Sequence, residues 1–206
     1  MRVRSARVVI GQDTRESSAW IADRVTHGLT SSGIEVHSAG VITTPGVAYL
    51  ARSRKYAAGV VISASHNPWT DNGIKVFSGD GYKLPDAHEI AIEQEIFGLL
   101  QNPEAHVDSS FQPTPSLPGE GELRHAYIAW LAQNVSTDLS RLRVLVDCAH
   151  GSATAEAPEL FRQCRIQAAI LSAAPTARTS MKAAARCIRK PWPGLWRRNR
   201  VNSIWA

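Results

Sequence analysis

The chain has 206 residues, 44% of them hydrophobic, enough to bury at least one sizeable core in one or two domains. No apolar run approaches the roughly 18 residues of a membrane span, and Met1-Arg2-Val3-Arg4-Ser5 lacks the apolar core of a signal peptide, so no membrane and a cytoplasmic address are expected. The net charge of +5 is unevenly placed: 13 basic and 18 acidic residues lie at or before Glu159, ten basic and no acidic residues after it, so the basic balance belongs to the tail.

Arg7-Val8-Val9-Ile10 is a short β-branched run ended by Gly11, and the segment after it sets Ile21, Val25 and Leu29 on one helical face. Gly33 is placed to stop that helix, and Ile34 to His37 alternates as a second strand. Thr43-Thr44-Pro45 is a helix start ahead of Val47, Leu50 and Ala51; Gly59-Val60-Val61-Ile62 reads as a buried third strand. Ile74-Lys75-Val76-Phe77 is a fourth strand, turned by Ser78-Gly79-Asp80-Gly81. Asp86 with Glu89 three positions on predicts a capping box for a helix carrying Ile92, Ile96 and Leu99. This alternation predicts an α/β fold with a mixed, largely parallel sheet between helices.

Residues 1–105 form the first domain in this reading. A proline-rich linker follows over 106–120, with Pro113, Pro115 and Pro118. Residues 121–171 hold a helix carrying Leu123, Tyr127, Trp130 and Leu131, then Val144-Leu145-Val146, a helix near 154–163 and a strand at Ala168 to Leu171, the start of an incomplete second α/β domain. Residues 172–206 contain no acidic residue, three of the six tryptophans and no clean period. A nucleic-acid arm built on Arg197-Arg198-Asn199-Arg200 is one reading of this tail. Out-of-frame sequence that never packs is the other, favoured because a short basic run is a weak motif; no nucleic-acid partner is expected. The cysteines, Cys148, Cys164 and Cys187, are odd in number without short metal-type spacing and read as reduced thiols.

The stretch carrying chemistry runs from Ile62 to Phe77. Serine, histidine and asparagine just past a buried strand can be held at the carboxyl edge of a parallel sheet, where open α/β folds bind ligands. Ser65 is the candidate nucleophile; a hydroxyl needs a base or a charged neighbour, which His66 or Lys75 supplies if the loop folds back. Asn67-Pro68 and Asp71-Asn72-Gly73 are turn formers suited to such a fold-back. On spacing alone, an ordinary serine-rich turn stands level with this reading.

Ser63-Ala64-Ser65-His66-Asn67-Pro68 followed by Asp71-Asn72-Gly73-Ile74-Lys75 resembles the phosphoserine loop of the α-D-phosphohexomutase superfamily, in the wording of its bacterial phosphoglucosamine mutase family. Residues 8–18, 40–52 and 77–84 resemble three further stretches of that family in the right order, and 144–153 the opening strand of its second domain. The resemblance implies interconversion of glucosamine 6-phosphate and glucosamine 1-phosphate through a bisphosphate intermediate, for UDP-N-acetylglucosamine and cell-wall synthesis. A hexosamine phosphate is then the substrate, and mannose or glucose phosphate the runner-up. By matching position Ser65 is the phosphorylated residue and, through its phosphate, a ligand to Mg2+. His66 and Lys75 become catalytic candidates, while Arg15 and Asn67 are candidates for binding substrate or phosphate.

The resemblance also fails in places. An N-terminal T-D-G-x-R-G motif has no counterpart before Arg7, and the metal loop D-G-D-G-D-R is due where residues 172–206 hold no aspartate. The expectation is a truncated chain, inactive alone or a non-catalytic phosphosugar-binding remnant.

Overall fold

The computed structural model describes residues 6–101 and 117–175. The expected tail, from 176 on, and most of the expected linker lie outside them. Strand β1 (Arg7–Gln12) leads into helix α1 (Glu16–Ser31), strand β2 (Glu35–Val41), helix α2 (Thr44–Ser53), strand β3 (Ala58–Ile62), strand β4 (Ile74–Ser78) and helix α3 (Asp86–Leu100). Sheet order is β2-β1-β3-β4, with β1 parallel to both β2 and β3 and β4 antiparallel to β3. The mixed, largely parallel sheet expected from the sequence is therefore observed.

The strands of the first unit alternate their side chains between two cores. Val8, Ile10, Val60 and Ile62 point to one face, where Ile21, Val25 and Leu29 of α1 cover them. Val9 and Val61 point to the other, packed with Val47, Leu50 and Ala51 of α2. On that face Gly11 is needed, because a β-carbon there would lie 2.5 Å from methyl groups of both Ile42 and Val47. At the end of α1, Gly33 sits at φ 79°; its N–H donates to the Thr30 carbonyl while Ile34 N–H reaches back to Leu29. This is a Schellman ending, and it turns the chain straight into β2.

Helix α4 (Glu120–Gln133) comes after the expected linker yet packs into the first unit: Leu123 and Tyr127 are each 4% exposed within the core on the α2 face, and Trp130 stacks on Tyr49 at 4.3 Å. Beyond it, β5 (Arg143–Asp147) and β6 (Gln167–Leu171) pair in parallel, joined through a 3-10 turn (Ser152–Ala155) and helix α5 (Ala157–Gln163). The single helix expected near 154–163 is thus two pieces, with Pro158 in the first turn of α5 where its missing N–H does no harm. A second difference lies at α3. Pro85, not Asp86, occupies the N-cap, so no capping box forms; Asp86 and Glu89 lie in the first turn, where both face the Lys83 ammonium.

Candidate active site

Four strands of the two sheets end near one cleft. Asp13, Thr14 and Arg15 follow β1, Thr44 opens the helix after β2, Ser63 and Ser65 follow β3, and Gly151 and Ser152 lie past the end of β5; together they line a cavity of about 120 Å³. Carboxyl ends of parallel strands are where open α/β sheets place ligands, because the strands halt there and leave backbone groups and loop side chains facing a crevice.

The loop after β3 is held at several points. Ser63 N–H donates to the Gly73 carbonyl, which closes the loop's base, and Ser65 N–H donates to Ser63 Oγ. Asn67 N–H donates to Ala64, making the turn. Ser65 itself takes φ 54°, the left-handed region that costs a residue with a β-carbon about 1–3 kcal/mol and that clusters at functional loops. Its side chain is exposed, and Lys75 Nζ donates to Ser65 Oγ at 2.5 Å. Lys75 arrives there through strand pairing: it lies opposite Val61, and directly opposed residues of an antiparallel pair share a face.

The Arg15 guanidinium secures the loop from below. One Nη donates to the Ser65 carbonyl at 3.1 Å and the Asn67 carbonyl at 2.9 Å, and the other pairs with the Asp13 carboxylate, the Arg15 side chain being 2% exposed. Asp13 in turn accepts from Arg15 N–H and from the Ser18 hydroxyl at 2.6 Å. Asn72 clamps the far side, its amide donating to the hydroxyls of Ser17 and Ser18 and its carbonyl oxygen accepting from Gly73 N–H.

Of the residues singled out from sequence, Ser65 and Lys75 are thus in direct contact, and Arg15 and Asn67 meet through the Asn67 main chain, not its side chain. His66 is exposed and makes no hydrogen bond with either Ser65 or Lys75. Sequence reasoning missed Asp13 and Asn72. The signal for Asp13 is present, an acid two positions before Arg15 at the end of a buried strand; Asn72 reads from the sequence only as a turn former.

The donor set for a divalent cation does not fit. Among the described residues no three His, Cys, Asp or Glu side chains come together, and Asp13, the only acid lining the cleft, is already engaged by Arg15 and Ser18. A larger cavity of about 250 Å³ opens between α1 and the sheet, lined by Ile10, Asp23, Thr26 and Glu120 among others, with none of the loop's residues in it.

The family model for phosphoglucomutase/phosphomannomutase, alpha/beta/alpha domain I, matches residues 1–102. The Ser65 loop lies within that match, and the likeness to relatives continues past it. Phosphoglucosamine mutase of Koribacter versatilis is 49% identical over 178 residues, 86% of this chain and 38% of that protein. Phosphoglucosamine mutase of Solibacter usitatus is 51% identical over 156 residues, 75% of this chain and 33% of that protein. The chain therefore spans under two-fifths of the length of these relatives. In fold, it matches a phosphoglucomutase/phosphomannomutase family protein of Burkholderia thailandensis with a TM-score of 0.61 at 23% identity, over 84% of this chain and 37% of that one.

Proposed function

We propose that this chain carries the phosphoryl-transfer loop of a phosphoglucosamine mutase, with Ser65 as the residue that holds and hands over phosphate. The observation that carries the reading is the Ser65 Oγ presented on a strained, exposed loop at a sheet edge, 2.5 Å from the Lys75 ammonium. In the first transfer, the bond from phosphorus to Ser65 Oγ breaks as a bond forms to the sugar's C1 hydroxyl oxygen, giving glucosamine 1,6-bisphosphate. Lys75 can deliver a proton to Oγ as it departs, and the hydroxyl's proton restores the ammonium. The second transfer runs the same chemistry backwards from the 6-phosphate, and glucosamine 1-phosphate leaves. Phosphoryl transfer depends chiefly on positioning and charge neutralisation, and a fixed cation at the bridging oxygen supplies both. The two-unit division of the chain, hexosamine phosphate as partner, a cytoplasmic site of action and Mg2+ as the family's cation belong to the same proposal. Among the described residues no helix is long and apolar enough to cross a membrane.

The absence of a cation-holding carboxylate cluster among the described residues favours a second element of this reading, that the 206-residue chain alone accepts phosphate on Ser65 but turns over poorly. Incubation with glucosamine 1,6-bisphosphate should add one phosphate to Ser65, read by intact mass and peptide mapping. A coupled assay on the same sample should run roughly 100-fold or more below a complete enzyme, the scale of losing one set of charge-stabilising groups. No phosphate on Ser65 would reject the assignment; full turnover would reject the second element.

A further inference from the structure

The cleft beside Ser65 is built by both units. Thr14 Oγ1 donates to the His150 carbonyl at 2.6 Å, and Thr43 donates to the Glu156 carboxylate through its N–H at 2.7 Å and its hydroxyl at 3.1 Å. Between these ties the chain takes a turn with two consecutive left-handed residues, Ala149 at φ 51° and His150 at φ 54°. Asp147 Oδ1 accepts from Ala149 N–H, and His150 N–H donates to the Ser172 carbonyl, which together hold the strained turn. The turn sets the next two residues, Gly151 and Ser152, into the wall of the cavity that Ser65 lines.

The hydroxyls of that wall fall into two groups. Thr14 is committed to His150, and Ser63 accepts from Ser65 N–H. The side chains of Thr44 and Ser152 have no hydrogen-bond partner among the described residues, and neither has the buried Nε of Arg15. The cavity holds about 120 Å³, well below the roughly 300 Å³ at which whole-ligand pockets begin, so its size suits one tetrahedral anion rather than a whole sugar. Uncommitted hydroxyl donors on two residues that line a phosphate-sized space call for acceptor oxygens.

We propose that Thr44 and Ser152 are phosphate-binding residues, one from each unit, that hold the oxygens of a phosphoryl group at Ser65 from the side away from its own loop. This rests on the reading of Ser65 as the phosphate carrier and adds a requirement to it: the phosphate is gripped across the seam, so the second unit takes part in binding and not only in enclosing the site.

The test is titration of the full chain with inorganic phosphate, followed by 31P NMR line broadening. Ser152→Ala and Thr44→Val should each raise the phosphate Kd about tenfold, the usual consequence of losing one hydrogen bond to a charged group. Ser152→Thr and Thr44→Ser, which keep the hydroxyl, should bind like the parent, and Ser65→Ala should still bind. Thermal melts of all five variants separate a folding defect from a lost contact. An unchanged Kd in both hydroxyl-free variants, or no phosphate binding by the parent, overturns the inference. Phosphorylation of Ser65 by glucosamine 1,6-bisphosphate is read separately: its failure with the Kd pattern intact sinks the mutase reading and leaves the anion site standing.

Discussion

Ser65 holds its place at the expense of backbone strain, and Arg15 is what makes the strained loop persist. The guanidinium binds two loop carbonyls and is itself fixed by Asp13, so a buried charge is balanced and its geometry is set in one network. Lys75 supplies the opposite contact, to the side-chain oxygen. Lys75→Ala should slow phosphorylation of Ser65 by glucosamine 1,6-bisphosphate about 100-fold or more, while Lys75→Arg, which keeps the charge but cannot give up a proton, should recover only part. Intact mass on timed, quenched samples measures this, and equal rates for all three proteins would remove Lys75 from the transfer. This pair was legible in the sequence because both members sit in one short stretch running from the end of β3 into β4, with turn formers in the middle. His66 was equally visible as a residue type, but its neighbour's left-handed backbone sets the direction of the loop, and no spacing rule reveals that. Thr44, Ser152 and Glu156 carry no site signal in the sequence for another reason: each reaches its place at the seam only through tertiary packing.

At the scale of elements, strand and helix periods identified every strand of the first sheet: β1 and β3 bury near-continuous runs, and β2 and β4 show as short β-branched or alternating stretches bounded by turn formers. Helix α4 is less legible. Its residues read as a helix, but which unit it serves depends on Leu123 and Tyr127 finding the α2 face, and periodicity says nothing of where a stripe docks. The α3 cap shows a related limit: the spacing of Asp86 and Glu89 fits a capping box and an ion-pair cluster on Lys83 equally well, and Pro85 decides for the latter. Tyr127→Ala should cost about 3–5 kcal/mol by leaving a cavity under the Tyr49 and Trp130 rings, measured by urea unfolding. A loss under about 1 kcal/mol would mean that α4 is not integral to the first unit.

For the whole molecule, the seam turns on Glu156. Burial raises its carboxyl above the ordinary 4.5, and the Thr43 N–H and hydroxyl oppose that shift only in part. A raised acid pKa means that the folded chain holds the proton more tightly than the unfolded one. The resulting stability is fully present below about 4.5 and is lost as pH rises through the folded value. Glu156→Gln removes the titration, so the stability difference between parent and variant should shrink or reverse from acid to neutral pH in paired thermal melts. A difference independent of pH across that window would refute the linkage. Charge follows the same geography: acidic residues are confined to the part ending at Glu159, so the Ser65 loop sits against an acidic background with Arg15 and Lys75 as its local cations.

The antiparallel return of β4 acts as a ruler. Because Ile62 faces Ile74 and Val61 faces Lys75, the gap between hydroxyl and ammonium is measured off by the ladder rather than by the long loop joining them. Lengthening that loop would leave the two atoms within reach, whereas slipping the ladder by one residue would swing the ammonium to the α1 side of the sheet and separate them entirely.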